Sequence, residues 1–425
     1  MIALLAVPAF PAAAGEAFGP ADSIPERIRF LIVPARDPLA GFDATTMAWH
    51  SAVELLTAGG DALTAGTGLD NSIFGRSIHT ALTLYFCEGM NYYSHEIAHR
   101  YLNRNRRHFW IDPSDWSKLV PRYVEHKLFD AWDTEEFEYY QTHPHDSYIL
   151  NWFIRRNEAG FFRNRLNSRS TARMTALTGS TTLSDGMAFY SNAIYAFEYI
   201  HRHGDDPITY VVTKNGTFLD INDVNGYIFL MNDLDIEISK GTWLAVSGLS
   251  AALSGQLWNS LYGTYRYIVH GERVTRNIEF GSDGGLRIAP PNFYLFPTVR
   301  GLYLETETYL RGLFDPGDLA FVSFGSGLDS YGIEKTGPVD RMRIGAMYHP
   351  ADRFRWFRIA PFLYLDFTGS MKQIGHSVGA AVETVSYRRF YLTATLEHNR
   401  GDMIEQTIKF KDDGFYFIAG LGFRL

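Results

Sequence analysis

From Gly301 to Leu425 apolar and polar residues alternate with a period of two, which puts them on opposite faces of extended strands. In the last eleven residues, FYFIAGLGFRL, Phe415, Phe417, Ala419, Leu421, Phe423 and Leu425 form one set. Tyr416, Ile418, Gly420, Gly422 and Arg424 form the other. In RIAPFLYLDFT, Ile359, Pro361, Leu363, Leu365 and Phe367 oppose Arg358, Tyr364, Asp366 and Thr368. In RFYLTATLE, Phe390, Leu392, Ala394 and Leu396 oppose Arg389, Thr393 and Glu397. The segment SVGAAVETVSY alternates as far as Glu383 and then changes phase at Val385 and Tyr387, which predicts a bulge or a weaker strand. With further strands beginning near Gly301, Leu319, Arg341 and Met403, the pattern predicts about eight.

Upstream the period lengthens to that of helices. HTALTLYFCEGMNYYSHEIAHRYLNRN, His79 to Asn105, contains no Pro and predicts one long helix with Glu88, Tyr92, His95 and His99 along one face. A second helix is expected from Ser147 to Leu166. A third runs from Ser184 as N-cap to Gly204 as its stop. Gly241 to Tyr265 holds no charged residue and is long enough to cross a bilayer. Its four Gly and several Ser, Thr and Asn favour a buried or interfacial helix over a span. Between the last two, Asp220, Asn222, Asp223 and Asn225 miss the spacing of a calcium loop, so a turn-rich connector is expected.

Composition changes this picture in three ways. A net charge of −8 (Lys+Arg 39, Asp+Glu 47) offers no basic face and argues against a nucleic-acid partner. The single cysteine, Cys87, excludes an intramolecular disulfide and a multi-Cys zinc site. The apolar N-terminus ending in Ala12-Ala13-Ala14 reads as a signal peptide over residues 1–14, although it lacks a basic n-region. The expected strands are roughly 9–11 residues long, with aromatics toward their ends and small or charged residues on one face. This part of the chain resembles the bacterial outer-membrane β-barrels. It departs from them in ending on Leu425, with Phe423 two residues back. The resemblance implies an antiparallel barrel over 274–425 that contacts outer-membrane lipid; a soluble all-β domain is the alternative. A helical domain over 25–273 placed ahead of such a barrel is expected to be periplasmic. The fold class expected is therefore α+β: a mainly helical N-terminal domain followed by a barrel too narrow for a wide pore.

One motif carries chemistry. His95-Glu96-Ile97-Ala98-His99 sets two imidazoles one helical turn apart with a carboxylate beside them, as a metal and its activated water require. Here the chain resembles the zincin (HExxH) metallopeptidases, with Arg100 a departure from their usual pattern. The resemblance implies Zn(2+) held by His95 and His99, Glu96 as catalytic general base, and a peptide or protein substrate. A thermolysin-like ligand order implies Glu158, 59 positions after His99, as third ligand; His143 and His145 are rivals. The same stretch also fits another set: Glu54, Glu96 with His99, Glu158, and Glu198 with His201. That order resembles the ferritin-like di-iron bundles. A third reading is a non-enzymatic barrel with a helical scaffold.

Overall fold

The computed structural model describes residues 29–32, 53, 55, 59–60, 62–102, 132–133, 147–202, 208–213, 216–221, 223–233, 236–281, 285–298, 301–313, 319–327, 339–347, 357–368, 373–384, 390–400 and 414–424. The fold is α+β. Its helices are α1 (Ile73–Leu102), α2 (Ser147–Thr178), α3 (Leu183–Arg202), α4 (Asp223–Asp233), α5 (Lys240–Leu253) and α6 (Gly255–His270). Its main sheet has 11 antiparallel strands. They are β1 (Arg29–Ile32) and, after the short β2 (Trp132–Asp133), β3 (Ser180–Thr182), β4 (Ile208–Thr213), β5 (Gly216–Ile221) and β6 (Val274–Arg276) that lie outside it, β7 (Phe280–Gly281), β8 (Arg287–Ile288), β9 (Asn292–Thr298) and β10 (Gly301–Arg311). β11 (Leu319–Gly327), β12 (Val339–Met347), β13 (Phe357–Thr368), β14 (Gln373–Thr384), β15 (Phe390–Arg400) and β16 (Gly414–Arg424) complete it.

From β10 to β16 each strand pairs with the next in sequence, so the sheet is a meander held by local hairpins. β1 adds to β16 in register Arg29↔Arg424, while β8 and β9 share the outer edge of β10. Among the described residues the two edges do not meet, so the sheet is not seen to close. The strands expected near Gly301, Leu319 and Arg341 are present; the one expected near Met403 lies outside the described residues. β14 is described as far as Thr384, so the phase change expected at Val385 lies outside the described residues. Within the β13–β14 ladder the register shifts between Asp366 and Phe367. Pro361 also leaves its mark: the β12–β13 ladder stops at Gly345↔Phe362, beside the residue that has no N–H to give.

The face that meets the helices, here the inner one, is polar and buried. Glu305, Glu307, Ser323, Arg341, Arg343, Ser377 and Glu397 lie on it. Rings fold over glycines on the same face. A Cβ on Gly325 would come 2.0 Å from the Tyr303 hydroxyl, one on Gly345 2.3 Å from the Phe321 ring, and one on Gly379 2.6 Å from the Phe362 ring. The opposite face carries exposed Phe324, Ile344, Ile359, Leu363, Val378, Leu392, Leu396, Phe415 and Phe417.

The helices differ from expectation at their ends, each time for a local reason. α1 starts six residues early because Ser72 Oγ accepts from Gly75 N at 3.0 Å, capping the first turn. α2 continues past Leu166 to Thr178 and stops at Gly179, whose φ of 66° suits a residue without Cβ. α3 is capped by Thr182 rather than Ser184. Thr182 Oγ1 accepts from Asp185 N, and Asp185 Oδ2 accepts from Thr182 N, each at 3.1 Å, a capping box. The uncharged stretch from Gly241 to Tyr265 is two helices broken at Ser254. Gly255 N donates to Pro291 O at 2.8 Å, and a Cβ on Gly255 would come 2.5 Å from Pro290, so the sheet fixes the break. The expected turn-rich connector is instead a hairpin, β4 (Ile208–Thr213) and β5 (Gly216–Ile221), followed by α4.

The core lies where α2 and α3 meet the inner face of β9 to β11. Ala172, Ala176, Phe189 and Ala193 pack there on Tyr294, Phe296, Tyr303 and Tyr309. A second cluster joins α1, α3 and α6 through Cys87, Leu183, Met187, Ala188 and Tyr267.

Candidate functional site

The His-Glu motif lies near the end of α1, an unbroken helix of 30 residues, so its two histidines are one turn apart along the backbone. His95 is fully buried. Its ring centroid lies 5.3 Å from that of Phe161 on α2 and 5.2 Å from that of Tyr195 on α3. Phe161 in turn meets Trp243 of α5 at 5.5 Å, so four helices converge on this ring. Gly160 provides the space: a Cβ there would lie 2.3 Å from both Cε1 and Nε2 of His95. The face of the imidazole therefore lies over the α2 backbone at Gly160, two residues beyond Glu158. The side chains of Glu96, His99, Glu158, Glu198 and His201 lie outside the described residues, as do Glu54, His143 and His145. The fold thus brings His95 to the helix that carries Glu158 and leaves the rest of the ligand set outside what is described. Among the described residues no three His, Cys, Asp or Glu side chains converge as a metal site.

Around His95 the seam between α1, α2 and α3 is polar. Ser94 Oγ accepts from Arg163 Nε at 3.1 Å and Asn167 Nδ2 at 2.9 Å, and Asn91 Nδ2 donates to Ser191 Oγ at 2.6 Å. Arg165 donates to the carbonyl of Asn192 at 3.4 Å, and no carboxylate pairs with it among the described residues. Burial lowers its pKa to about 10.

A second constellation went unnoticed in the sequence. Glu305 and Glu307, adjacent on the inner face of β10, are both buried and both saturated. Glu305 accepts from Arg343 of β12 at 2.6 Å and Ser323 of β11 at 2.6 Å, and pairs with Arg169 of α2 at 2.9 Å. Glu307 takes a two-pronged bond from Arg173, Nε and Nη2 each at 2.8 Å, and accepts from Tyr309 at 2.6 Å. Arg173 stacks on Phe321 at 4.1 Å, and Arg169 on Phe296 at 4.8 Å. This network ties helix to sheet. Its signal was in plain sight: Glu-Thr-Glu and Arg-Met-Arg at strand spacing, and Arg169 with Arg173 at helical spacing.

No helix among the described residues is long and apolar enough to cross a membrane, which has no bearing on crossing by strands. No family model, no curated protein and no solved structure matches this chain.

Proposed function

We propose that the chain is an outer-membrane protein whose sheet is the wall of a β-barrel, anchoring a helical body against its polar inner face. The observation that carries this reading is the inversion of the sheet. A soluble antiparallel sheet buries its apolar face and wets its polar one. Here Phe415 is 78% and Leu396 57% exposed, while Glu307 and Ser323 are fully buried. That arrangement is favourable when the outer solvent is hydrocarbon and the inside is polar. In this reading the Arg–Glu network fixes the scaffold, and the protein's partners are membrane lipids. Fractionation after a carbonate wash tests it: the chain should stay with outer-membrane material, and recovery as a soluble protein overturns the reading.

A second reading keeps the zinc hydrolase, favoured by the unbroken α1 and by the contact of His95 with the helix of Glu158. His95, His99 and Glu158 would hold Zn(2+), and Glu96 would accept a proton from water attacking a peptide carbonyl. Purified, folded protein should then contain about one zinc per chain. Glu96→Gln should keep the zinc and lose peptide hydrolysis. A folded, metal-free preparation removes this reading, and two irons per chain would replace it with the carboxylate bundle.

A further inference from the structure

We infer that α5, α6 and α1 belong to the lipid-facing wall, the α5–α6 break covering the sheet's β9 edge and all three helices presenting their outer faces to acyl chains. The inference rests on the membrane reading above and moves these helices from beside the bilayer into contact with it.

The edge of a sheet cannot stand open in hydrocarbon, because its N–H and C=O groups find no partners there. At β9 the helical body supplies them. Ser254 Oγ, at the α5–α6 break, accepts from Phe293 N at 2.9 Å and donates to Phe293 O at 3.3 Å. Tyr227 of α4 does the same for Thr298, accepting from its N at 3.1 Å and donating to its O at 2.8 Å. Hydroxyls thus bond at this edge where another strand would pair.

The helices that follow are inverted in the same sense as the sheet. α6 buries Gln256, Asn259, Ser260 and Gly263 and exposes Trp258, Leu261, Tyr262, Tyr265 and Val269. α1 buries Arg76, His79, Thr80, Thr83 and Asn91, and exposes Phe74, Ile78, Leu82 and Phe86 at steps of four, one stripe along its length. The two helices are neighbours: Arg76 donates to the carbonyls of Ile268 and Val269, and His79 meets the Tyr267 hydroxyl at 2.6 Å. The half-buried Ser77 and Thr264 turn their hydroxyls back onto the carbonyls of Ile73 at 2.9 Å and Ser260 at 2.7 Å, which spares those groups a partner outside the helix. Toward α6 the sheet's end strands β7 and β8 and the turns beside them continue the apolar surface with exposed Phe280, Ile288, Leu286 and Leu313, and Ile278 N donates there to Asn259 of α6 at 2.8 Å. That continuity with the outer face of the sheet makes lipid, rather than a second protein, the occupant.

The test is photo-crosslinking of the full chain in its native membrane, with p-benzoylphenylalanine placed singly at Leu82, Phe86, Trp258 or Tyr262. Leu396 and Phe417 serve as sheet positions. Lipid adducts, read by mass spectrometry, are expected at helix and sheet positions alike. Adducts at the sheet positions alone, or protein–protein crosslinks at the helix positions, overturn the inference and leave the barrel standing. No lipid adduct anywhere removes both. Four helix positions guard against a single variant that fails to fold.

Discussion

At the scale of the residue, the strongest constraints are buried charges, and their effects have opposite signs. Glu307 is fully buried and takes two bonds from the half-buried Arg173, so losing the arginine strands the carboxylate. Arg173→Ala should cost about 3–5 kcal/mol in denaturant unfolding in detergent. Arg165 is the converse: a buried cation whose partner among the described residues is the carbonyl of Asn192. Its pKa is lowered to about 10, so the folded state disfavours its protonated form. That penalty is present below about pH 10 and fades as pH rises toward the ordinary arginine value. Arg165→Met should therefore be neutral to about 3 kcal/mol more stable at pH 7. Its advantage over the wild type should shrink by pH 11. A variant several kcal/mol less stable than wild type at pH 7 would show that Arg165 has a partner on which the fold depends.

At the scale of the element, local chemistry sets boundaries that periodicity misses. Helix existence was legible for α1, α2 and α3, because each shows a long stretch free of Pro. Their ends were not, because caps depend on which hydroxyl finds which N–H. Ser184 satisfies the rule for a cap as well as Thr182 does, and only the reciprocal bond with Asp185 decides between them. The uncharged stretch reads as one helix until Pro290, just before β9, and Asn292 at its start meet its middle. Strand faces, by contrast, followed directly from alternation: Leu392 and Leu396 are exposed and Glu397 is buried, as the period of two requires. The glycines of the inner face hold a further constraint. Gly345→Val would drive a side chain into the Phe321 ring that supports Arg173. It should cost about 1–3 kcal/mol, seen as a lower midpoint with an unchanged slope in denaturant.

At the scale of the molecule, a helical body rests on the polar side of an antiparallel sheet, and both turn apolar surface outward. The sequence announces the two halves by their periods but not how they join. Joining depends on long-range partners such as Arg173 with Glu307, separated by 134 positions. The His-Glu motif was legible as spacing. What spacing could not convey is that His95 sits fully buried between Phe161 and Tyr195 with its ring face against Gly160. The central claim is that the outer face of the sheet meets hydrocarbon, and arginine substitution on that face tests it most directly. Leu396→Arg and Phe417→Arg should each lower the unfolding free energy in lipid vesicles by about 2–4 kcal/mol if these positions lie near the bilayer midplane. A change within about 0.5 kcal/mol at both, the ordinary outcome at a water-exposed site, would contradict the account.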